Sequence, residues 1–507
     1  MQKLVPVPSP EESRRSSSMA VVICLAITTV ILHLLTGNRY GFQRDELATL
    51  EDARHLAWGY VAYPPVTPFF GRISLELFGT SLRGFRLFAG LAQGAALVMT
   101  AAMARYFGGG RWSQLVAAAA AVPFCLAGGA LMQYVSFDYL AWVLVAYFTV
   151  RLLASGDPRW WVAIGAAIGF GMLSKYSMPF LVAGLIVGVL ATDARRYVGS
   201  KWLWLGAAIA LLIFTPNLIW QARHGFVSLD FLRHIHARDV AQGRTQFFLP
   251  KQLAMTLLAF PLWMAGLYFC LASPAGKRYR VIGWMYAVPL LLFVIARGRE
   301  YYLAGAYPML YAAGAVAAER WLEKLPKRTA GIFRAGVAVA LIADAAVAVA
   351  FLLPIAPINS GWFKVASNIQ GDYREEIGWP ELVETVARIR DGLPAEKRVH
   401  LGIIGTNYGE AGAINLYGPQ YGLPRAISGV NSFWYRGYGD PAPDSVIILG
   451  LSRAYVERTF TSCSVVAHTW NRFGIANEET VDHPDIFVCG PPHEGWPAFW
   501  KHFRYYG

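Results

Sequence analysis

The sequence predicts an all-α polytopic membrane bundle of about eleven transmembrane helices, followed by a small C-terminal α/β domain outside the membrane. Of its 507 residues, 55% are hydrophobic and only 15% are charged, whereas soluble chains carry about a quarter charged residues. The apolar residues also gather in runs close to the roughly 20 residues that cross a bilayer. These two features exclude an ordinary soluble enzyme, and the balanced Gly and Pro content excludes a fibrous or disordered chain.

Eleven apolar runs account for the transmembrane module, which we place at residues 19–353. They lie at about 19–35, 86–104, 113–131, 139–153, 160–174, 176–192, 202–220, 252–272, 281–296, 302–318 and 332–353. Inside lipid the backbone must satisfy its own hydrogen bonds, which favours helices. Residues 1–18 are polar and rich in Pro and Ser, so we expect a disordered cytoplasmic tail. The first run is interpreted as a signal anchor because no clear cleavage site follows it.

The distribution of basic residues predicts the orientation of the bundle. With the N-terminus inside, every inside loop is short and basic, as the positive-inside rule requires. The cations of these loops are Arg105, Arg111, Arg151, Arg159, Arg195, Arg196, Lys201, Lys277, Arg278, Arg280, Arg320, Lys324, Lys327 and Arg328. The outside face then receives the long connections 37–85 and 221–250. Because the number of crossings is odd, the tail 354–507 also lies outside.

The tail 354–507 has the pattern of a small α/β domain. RVHLGIIG and DSVIILGL are short apolar runs between turn residues and predict buried strands. ELVETVARIRDGL has helical periodicity, and NYGEAGAINLYG predicts a turn that leads into a helix. Its glycines do not form GxGxxG, so a nucleotide site is weakly indicated. Cys463 and Cys489 can pair if this domain lies in an oxidising compartment.

The net charge of +13 does not indicate nucleic acid, because zinc-finger spacings and basic helices with heptads are lacking. Many arginines nevertheless lie in the outside connections, where the positive-inside rule disfavours them. Anionic lipid headgroups and a bound phosphate both explain such residues, since guanidinium groups match phosphate oxygens. For a single arginine the two explanations are equal; for the whole set we favour a phosphate.

Three carboxylates are candidate catalytic groups at the outer membrane face. Asp45 and Glu46 follow the first span, and Asp138 opens the fourth span in VSFDYL. An N-cap role explains Asp45 on composition alone, and capping also explains Asp138. An acidic residue leading an apolar helix is nevertheless costly unless it is capped, paired or functional. Two separate features place carboxylates at the same face, which favours function.

Cationic and aromatic candidates lie at the same face. Lys175 joins two short spans in GMLSKYSMPF, and Arg299 precedes Tyr301 and Tyr302. Snorkelling of the lysine and an aromatic belt are the ordinary explanations. DFLRHIHARDVAQGR contains clustered His and Arg, but His234 and His236 are not i,i+4 partners, so a zinc site is weakly indicated. Together these groups suit a substrate with a phosphate and a hydroxyl nucleophile.

The order of these motifs resembles the GT-C glycosyltransferases that use polyprenyl-phosphate sugars. The likeness is strongest to bacterial relatives of the dolichyl-phosphate-mannose protein mannosyltransferases and of the lipid A aminoarabinose transferase. It rests on FQRDELATL, AYPPVTPFF, VSFDYL, GMLSKYSMPF and REYYLAGAYP, in that order, over roughly residues 19–320. It implies a cell-envelope enzyme of the bacterial inner membrane, with a periplasmic C-terminal domain, that transfers a sugar to a glycolipid, lipopolysaccharide, glycan or protein.

The resemblance also implies roles for the residues that match its motifs. Asp45 is the expected general base for the acceptor hydroxyl, Glu46 is expected to support it or to orient the acceptor, and Asp138 is the expected second acidic residue of the cleft. The expected ligands of the donor phosphate are Lys175, His234, Arg238 and Arg299. The residues expected to line the substrate are Tyr63, Tyr301 and Tyr302. Tyr63 stands where several relatives have a lysine before the Pro-Pro pair. Some relatives bind a divalent metal, but this sequence offers no clear ligand set for one.

Three alternatives to this enzyme stay open. A transporter or flippase of a lipid-linked or anionic substrate would explain the spans, but it predicts charges near the middle of the bilayer and repeated halves. Neither feature is visible in the sequence. A ligase-like or polymerase-like enzyme would use a diphosphate-linked donor. A non-catalytic assembly factor would tolerate substitution of the Asp-Glu pair.

Overall fold

The computed structural model describes residues 10–507, with side chains described from residue 19 onward. Before the C-terminal domain it contains α1 (Pro10–Thr36), α2 (Arg44–Arg54), α3 (Val66–Phe78), α4 (Leu82–Tyr106), α5 (Arg111–Gly129), α6 (Tyr134–Ser155), α7 (Trp160–Met172), α8 (Met178–Leu190), α9 (Lys201–Arg223), α10 (Val227–Ala241), α11 (Phe248–Thr256), α12 (Phe260–Leu271), α13 (Arg280–Ile295), α14 (Tyr307–Leu322) and α15 (Lys327–Leu352). Residues 1–9 of the predicted tail lie outside the described residues, and α1 begins at Pro10.

All eleven predicted apolar runs form helices. Within residues 10–507, eight helical segments are long and apolar enough to cross a membrane, and a ninth is α8 with the bent 3-10 helix Asp193–Gly199. The two remaining runs are α7 and α14, which have 13 and 16 residues. The mostly helical membrane bundle with a C-terminal sheet is therefore confirmed.

Glycines let the two short helices α7 and α14 pack closely against their partner helices. A Cβ added at Gly165 of α7 would lie 2.0 Å from the carbonyl oxygen of Gly206 in α9. One added at Gly314 of α14 would lie 1.8 Å from the carbonyl oxygen of Leu262 in α12. Small residues at helix crossings are the usual means of packing in lipid, where backbone contact replaces the hydrophobic effect. These crossings hold the bundle beneath the outer loops.

The C-terminal domain contains α16 (Gly361–Ile369), α17 (Trp379–Gly392), α18 (Ala395–Val399), β1 (Leu401–Gly405), α19 (Tyr408–Tyr417), β2 (Ala426–Ile427), β3 (Ser445–Leu449), α20 (Arg453–Thr459), β4 (Ser464–His468), α21 (Glu478–Val481), β5 (Asp485–Cys489) and α22 (Trp496–His502). The sheet order is β2-β1-β3-β5-β4. β1 pairs in parallel with β2 and β3, and β5 is antiparallel to β3 and β4. The two predicted strands are β1 and β3, and the two predicted helices are α17 and α19. Cys463 and Cys489 form a disulfide.

The first outside connection joins the domain to the bundle. Its helix α2 packs on α19, where a Cβ added at Gly412 would lie 2.7 Å from the Leu47 Cβ. Leu47 and Leu50 of α2 are buried in the same cluster as Trp379 and Ile414 of the domain. The residues that follow the first span are therefore enclosed between two layers of protein.

Candidate active site

A cavity of about 470 Å³ lies where the outer connections meet the C-terminal domain. Its wall on the bundle side comes from the start of α6, the α7–α8 link, α10 and the residues after α13. Its other wall comes from α2 and from segments of the domain. The polar residues that line it are Gln43, Arg44, Asp45, Thr49, Asp52, Tyr63, Gln133, Tyr134, Lys175, Tyr176, Ser177, His236, Arg238, Asp239, Arg244, Thr245, Arg297, Arg299, Tyr301, Tyr302, Asp372, Glu375, Tyr408, Asn431 and Ser432.

Asp45 lines this cavity from the first turn of α2. The N-cap of α2 is Gln43, whose side chain accepts from the Asp45 N–H at 2.6 Å, so the alternative N-cap role for Asp45 is wrong. Because the cap is supplied by Gln43, the Asp45 carboxylate is left for the cavity. Its Oδ2 accepts a hydrogen bond from Gln133 Nε2 at 3.2 Å. The carboxylate is half-buried and carries a defined orientation.

Glu46 does not line the cavity. Its side chain is fully buried and pairs with Arg86 of α4 at 2.6 Å. Its two oxygens also accept from the N–H groups of Gln43 at 3.0 Å and of Met132 at 2.8 Å. Neighbouring residues of a helix point about 100° apart, so Asp45 and Glu46 face different surroundings. Of the two roles expected for Glu46, this placement fits support of Asp45 better than orientation of the acceptor.

Asp138 lies one layer behind the cavity wall. Its carboxylate is buried and accepts from Ser177 Oγ at 2.7 and 2.8 Å. Ser177 and Lys175 both line the cavity, and the Lys175 ammonium interacts electrostatically with Asp138. The two predicted acidic positions are thus at the same end of the bundle, with Asp45 at the surface of the cavity and Asp138 beneath it.

Lys175 projects into a cage of aromatic rings. Its Nζ lies 4.3 Å from the ring centroid of Tyr302, 4.9 Å from that of Tyr301 and 5.3 Å from that of Tyr134. A cation over such rings is stabilised by their negative faces. The predicted residues Tyr301 and Tyr302 therefore line the cavity beside Lys175. The rings around the ammonium direct it toward the cavity.

The remaining predicted phosphate ligands, Arg299, Arg238 and His234, lie in three different surroundings. Arg299 forms a two-bond pair with Asp239, with both bonds at 2.6 Å. Arg238 lines the cavity, and its buried Nε has no hydrogen-bond partner. His234 points elsewhere, toward the ring of Tyr506 at 5.6 Å. His236 lines the cavity in its place, because positions two apart on a helix face about 200° apart.

Asp52 is a cavity residue that the sequence reasoning missed. Its Oδ2 accepts from the Tyr63 hydroxyl at 2.6 Å, and its Oδ1 pairs with Arg436 of the domain. Burial raises the pKa of Asp52 to about 6, although Arg436 opposes the increase. A signal for it exists, because Asp52 lies seven residues after Asp45 and about two helical turns place both on one face. Tyr63, which was predicted to line the site, lines the cavity and donates its hydroxyl hydrogen bond to Asp52.

The domain supplies two further carboxylates, Asp372 and Glu375, from the 3-10 helix Gly371–Glu376. Burial and then the charge of Asp45 raise the pKa of Asp372 to about 6. Burial and then the charge of Glu479 raise the pKa of Glu375 to about 7. No sequence motif marks these residues, because their position depends on how the domain docks. One wall of the cavity is therefore acidic.

A metal site is not evident in residues 10–507. No group of three or more His, Cys, Asp and Glu side chains there is arranged to hold a metal ion. The carboxylates of the cavity lie instead against arginine, tyrosine and glutamine side chains.

Known proteins resemble the chain both in sequence and in fold. Residues 62–220 match the family model described as dolichyl-phosphate-mannose-protein mannosyltransferase. The lipid A galacturonosyltransferase RgtD of Rhizobium johnstonii is 23% identical over 295 residues, which cover 55% of this chain and 60% of RgtD. The lipopolysaccharide core galacturonosyltransferase RgtB of the same organism is 23% identical over 335 residues, which cover 62% of this chain and 64% of RgtB. The chain therefore spans less than two thirds of either relative.

The structural likeness extends over nearly the whole chain. The crystal structure of ArnT from Cupriavidus metallidurans bound to undecaprenyl phosphate superposes with a TM-score of 0.59 at 17% identity. The superposition covers 93% of this chain and 97% of that one, so the bundle and the C-terminal domain are both included. The chain therefore has the GT-C fold of ArnT, and residues 62–220 within it resemble the dolichyl-phosphate-mannose-protein mannosyltransferases.

Proposed function

We propose that the chain is an inverting membrane glycosyltransferase that moves a sugar from a polyprenyl-phosphate donor to a hydroxyl acceptor at the periplasmic face. The observation that carries this proposal is the cavity, in which the Asp45 carboxylate and several cations share one enclosed space. A carboxylate can accept the proton of an attacking hydroxyl. Fixed cations stabilise the charge that develops on a departing phosphate.

The donor phosphate binds on the bundle side of the cavity. Lys175 is the buried cation there, and Arg238 and Arg297 lie nearby without a carboxylate within 4 Å in the described part of the chain. Among the described residues, Arg238 and Arg297 have no carboxylate partner, and both lie near Lys175. Such a group of cations suits an anion with several oxygens. The fold relative ArnT has been solved with undecaprenyl phosphate, which supports a donor of this type.

The reaction is a single displacement. The acceptor oxygen forms a bond to the anomeric carbon while its proton passes to Asp45. The bond between the anomeric carbon and the phosphate oxygen breaks, and its electron pair stays on that oxygen. Polyprenyl phosphate leaves, the anomeric centre is inverted, and Asp45 returns its proton to water. The leaving group is already a stable anion, so cations suffice and a general acid is not required.

The sequence relatives support a more specific substrate pair. RgtD and RgtB are named as galacturonosyltransferases of lipid A and of the lipopolysaccharide core. We infer a uronic acid as the transferred sugar and a lipopolysaccharide sugar as the acceptor. A uronate adds a second negative charge to the donor. His236 and Arg244 line the same wall as the phosphate cations and can receive that charge.

The proposed orientation has the N-terminus in the cytoplasm and the C-terminal domain in the periplasm of a bacterial inner membrane. The disulfide between Cys463 and Cys489 supports it, because disulfides persist in oxidising compartments. The basic inside loops support it as well. The cavity then opens where the polyprenyl chain can stay in the membrane while the sugar reaches the acceptor.

The decisive experiment is transfer by purified protein from synthetic polyprenyl-phosphate sugars to lipopolysaccharide, measured by mass spectrometry. We expect a uronate donor to be used and a neutral hexose donor to be used poorly. Asp45→Asn should lower transfer by at least about 1000-fold, the scale of losing a general base and its alignment, while polyprenyl phosphate still binds. Asp391→Asn, at an exposed carboxylate outside the cavity, is the matched control.

Three results would contradict the proposal. Near-normal turnover by Asp45→Asn would remove that residue from the role of base. Failure of the unaltered protein to use any polyprenyl-phosphate sugar, together with lipid or anion transport in vesicles, would favour the transporter alternative instead. Retention of the anomeric configuration in the product would exclude the single displacement.

A further inference from the structure

A buried ion network lies beside Asp45. At its centre is Arg86 of α4, whose side chain is 3% exposed. The guanidinium donates to the two oxygens of Glu46 at 2.8 and 2.6 Å, and to Glu376 Oε2 at 3.1 Å. It also donates to the carbonyl oxygens of Gly37 and Gly41 at 2.7 and 3.0 Å. One arginine thereby joins the first outside connection, α4 and the C-terminal domain.

Glu46 carries the network to the residues that hold Asp45. Besides Arg86, it accepts from the N–H of Gln43 and from the N–H of Met132. Gln43 is the N-cap that bonds to the Asp45 N–H at 2.6 Å. Gln133, the residue after Met132, donates to the Asp45 carboxylate at 3.2 Å. Glu46 therefore bonds directly to Gln43, one partner of Asp45, and to the backbone of the residue that precedes Gln133, the other partner.

Glu376 carries the network to the other wall of the cavity. It ends the 3-10 helix that also bears Asp372 and Glu375, both of which line the cavity. A Cβ added at Gly41 would lie 2.2 Å from the Glu376 carbonyl oxygen, so the two backbones are in direct contact. Any shift of this helix against the first connection would move the acidic wall relative to Asp45.

The network is a costly way to obtain stability alone. Burying charges often gains nothing over apolar packing, whereas a fixed set of directional bonds specifies one arrangement. Arg86 faces two carboxylates and can neutralise one. Burial raises the pKa of Glu376 to about 8 against the attraction of Arg86, and the charge of Glu46 adds to the increase. Glu46, which accepts two hydrogen bonds from the guanidinium, is the closer of its two carboxylate partners.

We propose that Glu46, Arg86 and Glu376 are positioning residues that hold Asp45 at the transferred hydroxyl and fix the C-terminal domain against it. The inference rests on the proposed function, because it takes Asp45 as the group that receives the proton. It gives Glu46 a role through Asp45 and assigns the domain a part in building the active site.

The test is Glu46→Gln, which keeps the shape of the side chain and its acceptor for the Met132 N–H but loses the charge that pairs with Arg86. We expect kcat to fall by about 30- to 100-fold, in line with effects of misplaced catalytic groups. KM for the donor should change less than threefold, and binding of undecaprenyl phosphate should be retained. Glu376→Gln should lower kcat less, because a neutral side chain replaces a protonated one.

Glu381→Gln is the matched control, since Glu381 is also a buried carboxylate paired with an arginine, Arg472, and it does not line the cavity. Its kcat should stay within twofold of the unaltered protein. Unchanged kcat in Glu46→Gln would overturn the inference. Loss of donor binding and of the melting transition together with kcat would also overturn it, because the role would then be structural. Absence of transfer by the unaltered protein would instead count against the proposed function.

Discussion

The two walls of the cavity differ in charge and in origin. The bundle wall carries Lys175, Arg238 and Arg299 beside a set of tyrosines, and Asp239 is its lining carboxylate. The opposite wall, formed by α2 and the domain, carries Asp45, Asp52, Asp372 and Glu375, with Arg44 among them. The cations come from within or next to the spans, whereas most of the carboxylates come from the outer connection and the domain.

This difference indicates how two substrates share one space. A phosphate is attracted to the cationic wall and repelled by the acidic one, so the donor has one favourable orientation. Carboxylates accept hydrogen bonds from sugar hydroxyls, so the acidic wall suits a hydroxyl-rich acceptor and disfavours an anionic acceptor group. Asp45 lies on the acidic wall, where the proposed reaction requires it to meet the acceptor hydroxyl. Substitutions on the two walls should therefore affect different substrates.

The largest change in donor use is expected from Lys175→Met, which removes from the bundle wall the cation that the tyrosine rings surround. Loss of one partner from a buried charge pair typically costs about 2–5 kcal/mol, so kcat/KM for the donor should fall by at least about 30-fold. KM for the acceptor should change little. Lys201→Met is the control, because Lys201 also lies over an aromatic ring, that of Trp202 at 5.6 Å, but does not line the cavity. Equal losses in both variants would contradict a specific phosphate role.

A smaller effect is expected from Arg238→Gln on the same wall. The arginine is only half-buried, so we expect KM for the donor to rise by about tenfold at low salt, and less at high ionic strength because salt screens exposed charges. Arg233→Gln on the same helix is the control, since Arg233 is 70% exposed and pairs with Asp230. A salt-independent change, or the same change in the control, would argue against direct phosphate binding.

On the acidic wall, Asp372→Asn should act on the acceptor. We expect KM for the acceptor to rise by about three- to tenfold, the loss of roughly one ordinary hydrogen bond. Donor binding should be unchanged or slightly tighter, because a negative charge leaves the cavity. An acceptor in which a phosphate replaces a hydroxyl other than the reacting one should bind poorly to the unaltered protein. The variant should reject this acceptor less strongly. A rise in donor KM would break the division between the two walls.

The smallest effect concerns stability and pH. Burial raises the pKa of Glu375 from an ordinary value of 4.5 to about 7. Between these values the folded protein holds a proton that the unfolded chain has lost, so the free energy of unfolding falls as pH rises. The melting temperature should therefore decrease from pH 5 to pH 8, and the decrease should be smaller in Glu375→Gln. Glu384→Gln, at an exposed position, should behave like the unaltered protein; identical decreases in all three would refute the prediction.

Much of the bundle side could be predicted from local sequence. Lys175, Tyr301 and Tyr302 lie at the ends of apolar runs, and such ends meet at the membrane surface whatever the packing. Asp45 was found because it directly follows the first span. His234 was misplaced, because the choice between His234 and His236 depends on the rotation of α10 about its axis. The sequence left open whether Glu46 supports Asp45 or orients the acceptor, because two adjacent carboxylates do not reveal that Arg86 pairs with one of them.

The amino-acid sequence by itself determined the helical membrane bundle, the small C-terminal domain and the end of the bundle at which charge gathers. These follow from run length, hydrophobic periodicity and charge, which act over one helix at a time. Only the tertiary structure decided that the acidic wall includes Asp372 and Glu375, that Arg86 joins Glu46 to Glu376, and that Asp45 faces the cavity. Those contacts join segments hundreds of residues apart, and their energies exist only once the domain has docked on the outer connection.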